Sequence, residues 1–265
     1  MDYAIFDAAR AGIDRTVLIV RPEALHVLPA LQRRYGGSME VRAVAQRLDD
    51  LPAGTRPPAG RARPWGTAHA IRAARPTVDG PVIVVNGDDF YGAQPYRALV
   101  DARRADRGAP AVWHLAGFAV GDTLSPSGPV NRAVCHVDAD GTLTSLDEVR
   151  GIREGGDGVL RGGADFPRVI PGDAVVSMNM WGLTAEIFEV IELAFEAFLK
   201  RSDVARDEYY LPEAIAVAIA RGRKVQVLPA ASAWCGVTFP EDAPLVRAHL
   251  AALVERGDYP APLWP

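Results

Sequence analysis

The chain has 265 residues, of which 49% are hydrophobic and 23% are charged, and its formal net charge is −4 at pH 7. This is a globular composition, able to bury a core without disulfides, and its mixed, slightly acidic charge excludes broad electrostatic binding to nucleic acid or to an anionic membrane. With two cysteines, no apolar run of the roughly 20 residues that span a bilayer and no signal-peptide pattern, we expect a soluble, reduced, cytoplasmic protein.

Short apolar strands alternate with amphipathic helices along the chain. The pattern predicts a helix over Asp2–Ala11 and then an apolar, β-branched run, Thr16–Val20, typical of a buried parallel strand. The later strands are predicted at Val41–Val44, Pro81–Asn86, Ala111–Phe118, Ala174–Trp181 and Val225–Leu228. The later helices are predicted from Pro22 to Gly36-Gly37 and over 67–75, 95–104, 184–200, 211–221 and 243–256. This alternation predicts an α/β fold with a largely parallel sheet.

Residues 121–172 break that alternation, because they are rich in Gly, Asp, Pro and Ser and hold only the short strand-like pieces Ala133–Val137 and Leu143–Leu146. We interpret them as an insertion at the sheet edge that borders a ligand site. Neither an internal repeat nor a boundary between independent domains is visible. We therefore predict one domain over residues 1–265.

Two carboxylates, Asp88 and Asp89, directly follow the predicted strand Pro81–Asn86. Ligands of open α/β sheets bind at the carboxyl ends of the strands. Carboxylates placed there suit Mg²⁺, which prefers hard oxygen ligands and shares its shell with phosphates. The alternative is that the two side chains cap the next helix or hold a turn, and position alone leaves both interpretations open.

The segment Pro64–Ala70 places Gly66 directly before a predicted helix. A glycine lets the backbone approach a ligand closely, and a helix N-terminus offers free N–H groups. The simpler interpretation is a turn in which Thr67 caps the helix and His69 is a packed or surface histidine. On this segment alone, the simpler interpretation is the better one.

The segments Pro64–Ala70 and Asn86–Gly92, with the helix and strand between them, resemble the sugar-phosphate nucleotidyltransferases, also called nucleoside-diphosphate-sugar pyrophosphorylases. Further similar segments follow in order over almost the whole chain: Leu124–Arg132, Val176–Gly182, Glu208–Pro212, Trp234–Thr238 and Glu241-Asp242. The resemblance implies a Rossmann-like α/β fold with a mixed, mostly parallel sheet flanked by helices. It implies a Mg²⁺-dependent reaction of a nucleoside triphosphate with a sugar 1-phosphate, and it allows a homo-oligomer.

The resemblance also implies roles for seven residues. Asp88 would be the catalytic Mg²⁺ ligand, and Asp89 would border the ribose and the sugar. Gly66 and Thr67 would lie against the nucleotide base. The residues that would face the sugar are Glu148, Asn179 and Glu208, for each of which a surface polar residue or a cap is the alternative.

The chain departs from the family in two places. The family opens with an apolar strand and a Gly-rich loop whose arginine, with a later lysine, holds the triphosphate, whereas Met1–Gly12 resembles the helix after that loop. We therefore expect an N-terminally truncated chain with very weak activity or none, unpaired strand edges and an apolar slot. Arg61 and Arg63 would partly replace the missing positive charge, or would only be surface arginines in a loop, which is the simpler interpretation.

The second departure follows Trp234, where Cys235-Gly236 stands in place of a second metal-binding aspartate that is often found in the family. Asp242 or its neighbour Glu241 would approach the metal instead, or would only supply negative charge before the last helix. Both cysteines are expected to be inert packing thiols.

Two other functions stay open on the sequence. A metal-dependent glycosyltransferase of similar fold would use Asp88 and Asp89 to hold a nucleotide-sugar pyrophosphate on a metal. A non-catalytic regulatory protein would bind a nucleotide-sugar without turnover. The sugar and the base are not predicted.

Overall fold

The computed structural model describes residues 1–106, 112–163, 168–201 and 204–264, so Ala111 of one predicted strand lies outside the described residues. The helices are α1 (Asp2–Arg10), α2 (Leu28–Tyr35), α3 (Thr67–Ala74), α4 (Ala93–Ala105), α5 (Ile187–Phe198), α6 (Leu211–Ala220) and α7 (Ala243–Glu255). The strands are β1 (Arg15–Val20), β2 (Glu40–Ala45), β3 (Val82–Val84), β4 (Trp113–Ala119), β5 (Val130–Val137), β6 (Leu143–Glu154), β7 (Leu160–Gly162), β8 (Arg168–Val169), β9 (Val175–Leu183) and β10 (Val225–Pro229).

The chain divides into two compact units. The large-sheet unit consists of Met1–Gly12, Ile83–Gly182 and Lys224–Pro265. The small-sheet unit consists of Ile13–Val82 and Leu183–Arg223. The prediction of a single nucleotidyltransferase-like domain over 1–265 stays a prediction.

The large sheet has the strand order β10-β4-β9-β5-β6-β7-β8, and β3 pairs with β9. The predicted mixed α/β fold is confirmed. We expected the strands to pair mostly in parallel, and β10 and β4 do so. In contrast, five pairs are antiparallel: β4–β9, β9–β5, β5–β6, β6–β7 and β7–β8. Beyond β9 the reason is that residues 121–172 contribute β5 to β8, which extend the sheet as antiparallel strands. That these residues border a sugar site stays a prediction.

The small-sheet unit is built on the parallel pair β1 and β2 and on the helices α3, α5 and α6. The predicted apolar face of α5 is fully buried at Ile187, Ile191, Phe195 and Phe198. β1 differs from its prediction, because all six of its residues are half-exposed rather than buried. The cause is that β1 pairs only with β2 among the described strands.

Candidate active site

The chain after β3 carries both candidate carboxylates. The backbone N–H of Asn86 donates to the Tyr91 hydroxyl at 3.1 Å, so this residue has already left the strand that was predicted to include it. Asp88 is exposed, whereas Asp89 is half-buried and its Oδ2 accepts from Asn86 Nδ2 at 2.8 Å. α4 has Gly92 as its N-cap residue and no side-chain cap, so the alternative that the carboxylates cap this helix is wrong.

β9 brings Asn179 to the same place. Its Nδ2 donates to Asn86 Oδ1 at 3.4 Å, and its backbone N–H donates to Ser177 Oγ at 3.2 Å. Asn179 has φ +59°, and the register between β4 and β9 shifts beside it. A non-glycine residue in this left-handed region is uncommon and concentrates at functional sites. The structure therefore joins two predicted site residues, Asp89 and Asn179, through Asn86, which was not among the predicted site residues.

Burial raises the pKa of Asp89, the hydrogen bond from Asn86 opposes this, and the charge of Asp88 adds to it. The segment that begins at Trp234 lies directly against this carboxylate, since a Cβ at Gly236 would stand 2.5 Å from Asp89 Oδ1. An antiparallel bridge between Phe90 and the residue before Gly236 holds the segment in place. The position of the expected second aspartate is thus in contact with Asp89 but carries no side chain.

Glu148 and Arg132 lie on the neighbouring strands β6 and β5. Arg132 is buried; it donates to Asn131 O at 2.8 Å and to the hydroxyl and carbonyl of Thr123, and its guanidinium lies 5.2 Å from the centre of the Trp234 ring. Burial lowers the pKa of Arg132, while the charges of Asp89 and Glu148 oppose this. Burial raises the pKa of the Glu148 carboxyl, although much of the residue is exposed. Arg132 was missed as a candidate, and its only signal was its place at the end of the segment Leu124–Arg132.

Asp242 is a buried carboxylate that joins two loops. Its Oδ1 accepts from the hydroxyls of Ser125 at 2.8 Å and Ser127 at 2.7 Å. Its Oδ2 accepts from the backbone N–H groups of Thr238 and Phe239 at 3.1 and 2.9 Å. These hydrogen bonds lower the pKa of Asp242 against the effect of burial. Because both oxygens of the Asp242 carboxylate accept two hydrogen bonds each, we assign it a structural role in joining the two loops and not the role of the absent second metal-binding aspartate.

In the small-sheet unit, Gly66 and Thr67 meet the chain around Glu208. Gly66 has φ +102°, and a Cβ there would stand 2.5 Å from the carbonyl oxygen of Tyr209. Thr67 is the first residue of α3, and its Oγ1 accepts from the backbone N–H of Leu211 at 2.9 Å. The interpretation of Thr67 as the cap of its own helix is therefore wrong. Glu208, half-buried, directly precedes Tyr209, so these three predicted residues lie in one region of this unit.

Arg61 holds that region together, and the expectation of a surface arginine is wrong for it. It is 7% exposed, and its guanidinium donates to the carbonyls of Val204, Asp207 and Pro64 at 2.6, 2.9 and 2.7 Å. The guanidinium also lies 3.8 Å from the centre of the Trp65 ring. This burial could not be predicted from the sequence, because two of the three carbonyls, those of Val204 and Asp207, come from residues 143 and 146 positions further along the chain.

His69 is a packed histidine, as one of the two interpretations held. It is fully buried, its Nε2 lies 2.7 Å from Asp50 O, and burial lowers its pKa. Gln46 was missed as a neighbour of the site: its Nε2 donates to Gly66 O at 2.9 Å. Burial raises the pKa of the Cys135 thiol to about 12 and that of Cys235 to about 11, as inert thiols require.

Within the described ranges, no group of three or more His, Cys, Asp or Glu side chains is arranged to hold a metal ion. Mg²⁺ does not need such a cage, since it commonly keeps several waters and binds through one or two carboxylates and substrate phosphates. Asp88 and Asp89 supply that donor set, so the residues present fit this ion. No helix in the described part of the chain is long and apolar enough to cross a membrane.

No protein-family model matches the chain. Over 205 residues it is 30% identical to the bifunctional protein GlmU of Acidovorax sp. (strain JS42), which covers 72% of this chain and 36% of that protein. Over 174 residues it is 29% identical to the bifunctional protein GlmU of Novosphingobium aromaticivorans, covering 62% of this chain and 31% of that protein. The chain thus spans about a third of the length of these curated relatives.

Solved structures share the fold at low identity. An inositol-1-phosphate CTP transferase from T. maritima superimposes with a TM-score of 0.59 at 14% identity, covering 91% of this chain and 76% of that one. A nucleoside-diphosphate-sugar pyrophosphorylase from Vibrio cholerae RC9 gives 0.54 at 14% identity, covering 92% and 84%. Likenesses at this identity establish the fold, and they confirm the fold type that the motif order implied.

Proposed function

We propose that this chain, which belongs to the sugar-phosphate nucleotidyltransferase family, joins a nucleoside triphosphate to a sugar 1-phosphate and releases pyrophosphate. The observation that carries the proposal is the chain after β3. There Asp88 presents an exposed carboxylate, and its neighbour Asp89 is hydrogen-bonded to Asn86, which also bonds Asn179. One carboxylate is thus left to solvent and ligands while the other is held by the fold.

In this reaction a phosphate oxygen of the sugar 1-phosphate attacks the α-phosphorus of the triphosphate, and the bond to the pyrophosphate leaving group breaks. Such a transfer depends on positioning and on stabilising charge rather than on covalent chemistry by the protein. Asp88, with Asp89 beside it, would hold Mg²⁺, which when bound neutralises charge on the phosphates.

The chain's own residues orient the substrates. Asp89, fixed by its hydrogen bond, borders the ribose and the sugar, and Asn179 and Glu148 face the sugar. In the small-sheet unit, Gly66 and Thr67 are proposed for the nucleotide base. Glu208, directly before Tyr209, is proposed for the sugar.

The cations that hold the triphosphate are proposed to come from outside these 265 residues. Arg61 is unsuited to the task, because its guanidinium is bound to three backbone carbonyls. β1 is apolar but half-exposed, whereas apolar strands are normally covered by a neighbouring strand. This exposure supports the proposal that a neighbouring strand of β1 lies outside these 265 residues. We therefore expect slow or no turnover by the chain as given, and turnover once it is extended upstream in frame.

A pyrophosphate-release assay with Mg²⁺, several nucleoside triphosphates and several sugar 1-phosphates tests the proposal on both versions. Asp88→Asn is expected to abolish release by the active version. Asp101→Asn, on an α4 side chain that is 70% exposed, is the matched control and should leave release unchanged. Transfer from a nucleotide-sugar to an acceptor without pyrophosphate release would instead identify a glycosyltransferase. Nucleotide-sugar binding without turnover in both versions would identify a regulatory protein.

A further inference from the structure

Asn86 connects two candidate residues, Asp89 in the loop after β3 and Asn179 on β9. Its Nδ2 donates to Asp89 Oδ2 at 2.8 Å, and its Oδ1 accepts from Asn179 Nδ2 at 3.4 Å. We propose that Asn86 is a positioning residue that fixes Asp89 and Asn179 relative to each other and thereby sets the affinity for the sugar substrate. This inference rests on the proposed nucleotidyltransferase function.

The two contacts require a carboxamide at this position. One partner, Asp89, offers only acceptor oxygens when ionised, and the other partner, Asn179, presents an N–H₂ donor. A carboxamide supplies a donor and an acceptor on the same short side chain, whereas a carboxylate supplies acceptors only. An aspartate in place of Asn86 would therefore keep the size of the side chain but set two carboxylates against each other.

The backbone of Asn86 is anchored as well. Its N–H donates to the Tyr91 hydroxyl at 3.1 Å, and that hydroxyl lies 2.7 Å from the carbonyl oxygen of Met178 and 3.2 Å from Asp89 Oδ2. The Tyr91 side chain is 1% exposed, and its hydroxyl links the chain after β3 to β9. Asn179, whose backbone is left-handed, directly follows Met178 in β9. The contacts thus close a ring that holds the one non-glycine residue with positive φ among the described residues.

The test compares Asn86→Ala and Asn86→Asp with Asn131→Ala. Asn131 is a matched control, because it is an exposed asparagine of the same unit whose Oδ1 accepts from the Gly151 N–H at 3.0 Å. For the version of the protein that turns over, Asn86→Ala is expected to raise KM for the sugar 1-phosphate about tenfold, the effect of losing one good hydrogen bond. KM for the nucleoside triphosphate and the control's constants are expected to stay within twofold.

A second readout does not depend on turnover. NMR of the Asn179 side-chain amide, assigned with Asn179→Ala, is expected to shift in Asn86→Ala, because the Asn179 Nδ2 group loses its acceptor Asn86 Oδ1, and to stay unchanged in Asn131→Ala. An unshifted Asn179 signal, or a shifted signal with an unchanged sugar KM, overturns the inference. If the parent protein neither turns over nor binds a nucleotide-sugar, the proposed function fails, whereas the shifted signal would still confirm the hydrogen bond. Asn86→Asp keeps the acceptor for Asn179 but loses the donor to Asp89, so its sugar KM keeps the test available if the alanine variant does not fold.

Discussion

Gly66→Ala is the substitution for which the structure gives the clearest magnitude. The new Cβ would stand 2.5, 2.7 and 2.8 Å from the carbonyl oxygen, nitrogen and carbonyl carbon of Tyr209. These are backbone atoms fixed by two hydrogen bonds, from the Tyr209 N–H to Trp65 O at 2.6 Å and from the Ala68 N–H to Tyr209 O at 3.1 Å. No rotamer change can therefore relieve the contact.

Two separate penalties apply to this alanine. The backbone at φ +102° lies in a region that costs side-chain-bearing residues on the order of 1–3 kcal/mol. Forcing a methyl group into a filled space costs a further 1–3 kcal/mol or so. We expect Gly66→Ala to lower the free energy of unfolding by about 2–6 kcal/mol, a large part of the stability of an ordinary domain.

Two glycines of the same unit separate these penalties. Gly60 has φ +78° and nothing within 4 Å of its Cβ position, so Gly60→Ala carries the backbone penalty alone. Gly37 has neither feature, so Gly37→Ala is expected to be neutral or slightly stabilising. Urea unfolding followed by tryptophan fluorescence measures all three variants. A loss for Gly66→Ala no larger than that for Gly60→Ala would refute the close approach to Tyr209.

Three further predictions concern buried charges. Arg61→Ala should cost about 3 kcal/mol of unfolding free energy in urea, because three carbonyls lose a charged donor; equal losses for exposed Arg63→Ala would contradict this. Asp242→Ala should cost about 2–4 kcal/mol in the same assay, because two backbone N–H groups and two hydroxyls lose their acceptor, whereas Glu241→Ala should cost little. Burial raises the pKa of Asp7 to about 6 from 3.8, so the native state binds this proton more tightly than the unfolded state. Stability should therefore fall by about 2 kcal/mol as pH rises from 4 to 6, out of a total of about 3 kcal/mol between about pH 3 and pH 7; thermal unfolding of Asp7→Asn should lack this slope, and an unchanged slope would assign it to another group.

The sequence was sufficient to predict most elements, because hydrophobic periodicity is a local property. The buried face of α5 and the place of β2 follow from residue spacing alone. Strand pairing is a long-range property, so the antiparallel extension through β5 to β8 was not predicted from strand spacing. The exposure of β1 also depends on pairing rather than on its apolar composition.

The candidate site was predictable only where its functional residues are adjacent to one another in the sequence. Asp88-Asp89 after an apolar strand is such a case. Asn86 and Arg61 were missed because Asn179 and Val204 lie far from them along the chain, and Arg132 because the Trp234 ring beside its guanidinium is also distant in sequence. An asparagine before a glycine carries no local sign that its carboxamide will meet Asn179, which lies 93 positions away.

The segments that resemble the family contact one another in the folded units. Pro64–Ala70 bonds to Glu208–Pro212 through the backbone N–H of Leu211 and the Thr67 hydroxyl. Asn86–Gly92 bonds to Val176–Gly182, and Leu124–Arg132 bonds to the last segment through Asp242. Much of the motif order therefore reflects packing between distant stretches.

The hydrogen bonds distinguish residues that stabilise the site from residues that are available to bind a ligand. Thr67 and Asp242 have their polar atoms bound by the fold, so packing accounts for them without a ligand. Asp88 is different: within the described residues its carboxylate makes no hydrogen bond or ion pair, and it stays exposed beside the buried network of Asp89. Because the fold does not use the Asp88 carboxylate, we predict that Asp88→Asn reduces activity without reducing stability, the opposite of what we expect for Asp242.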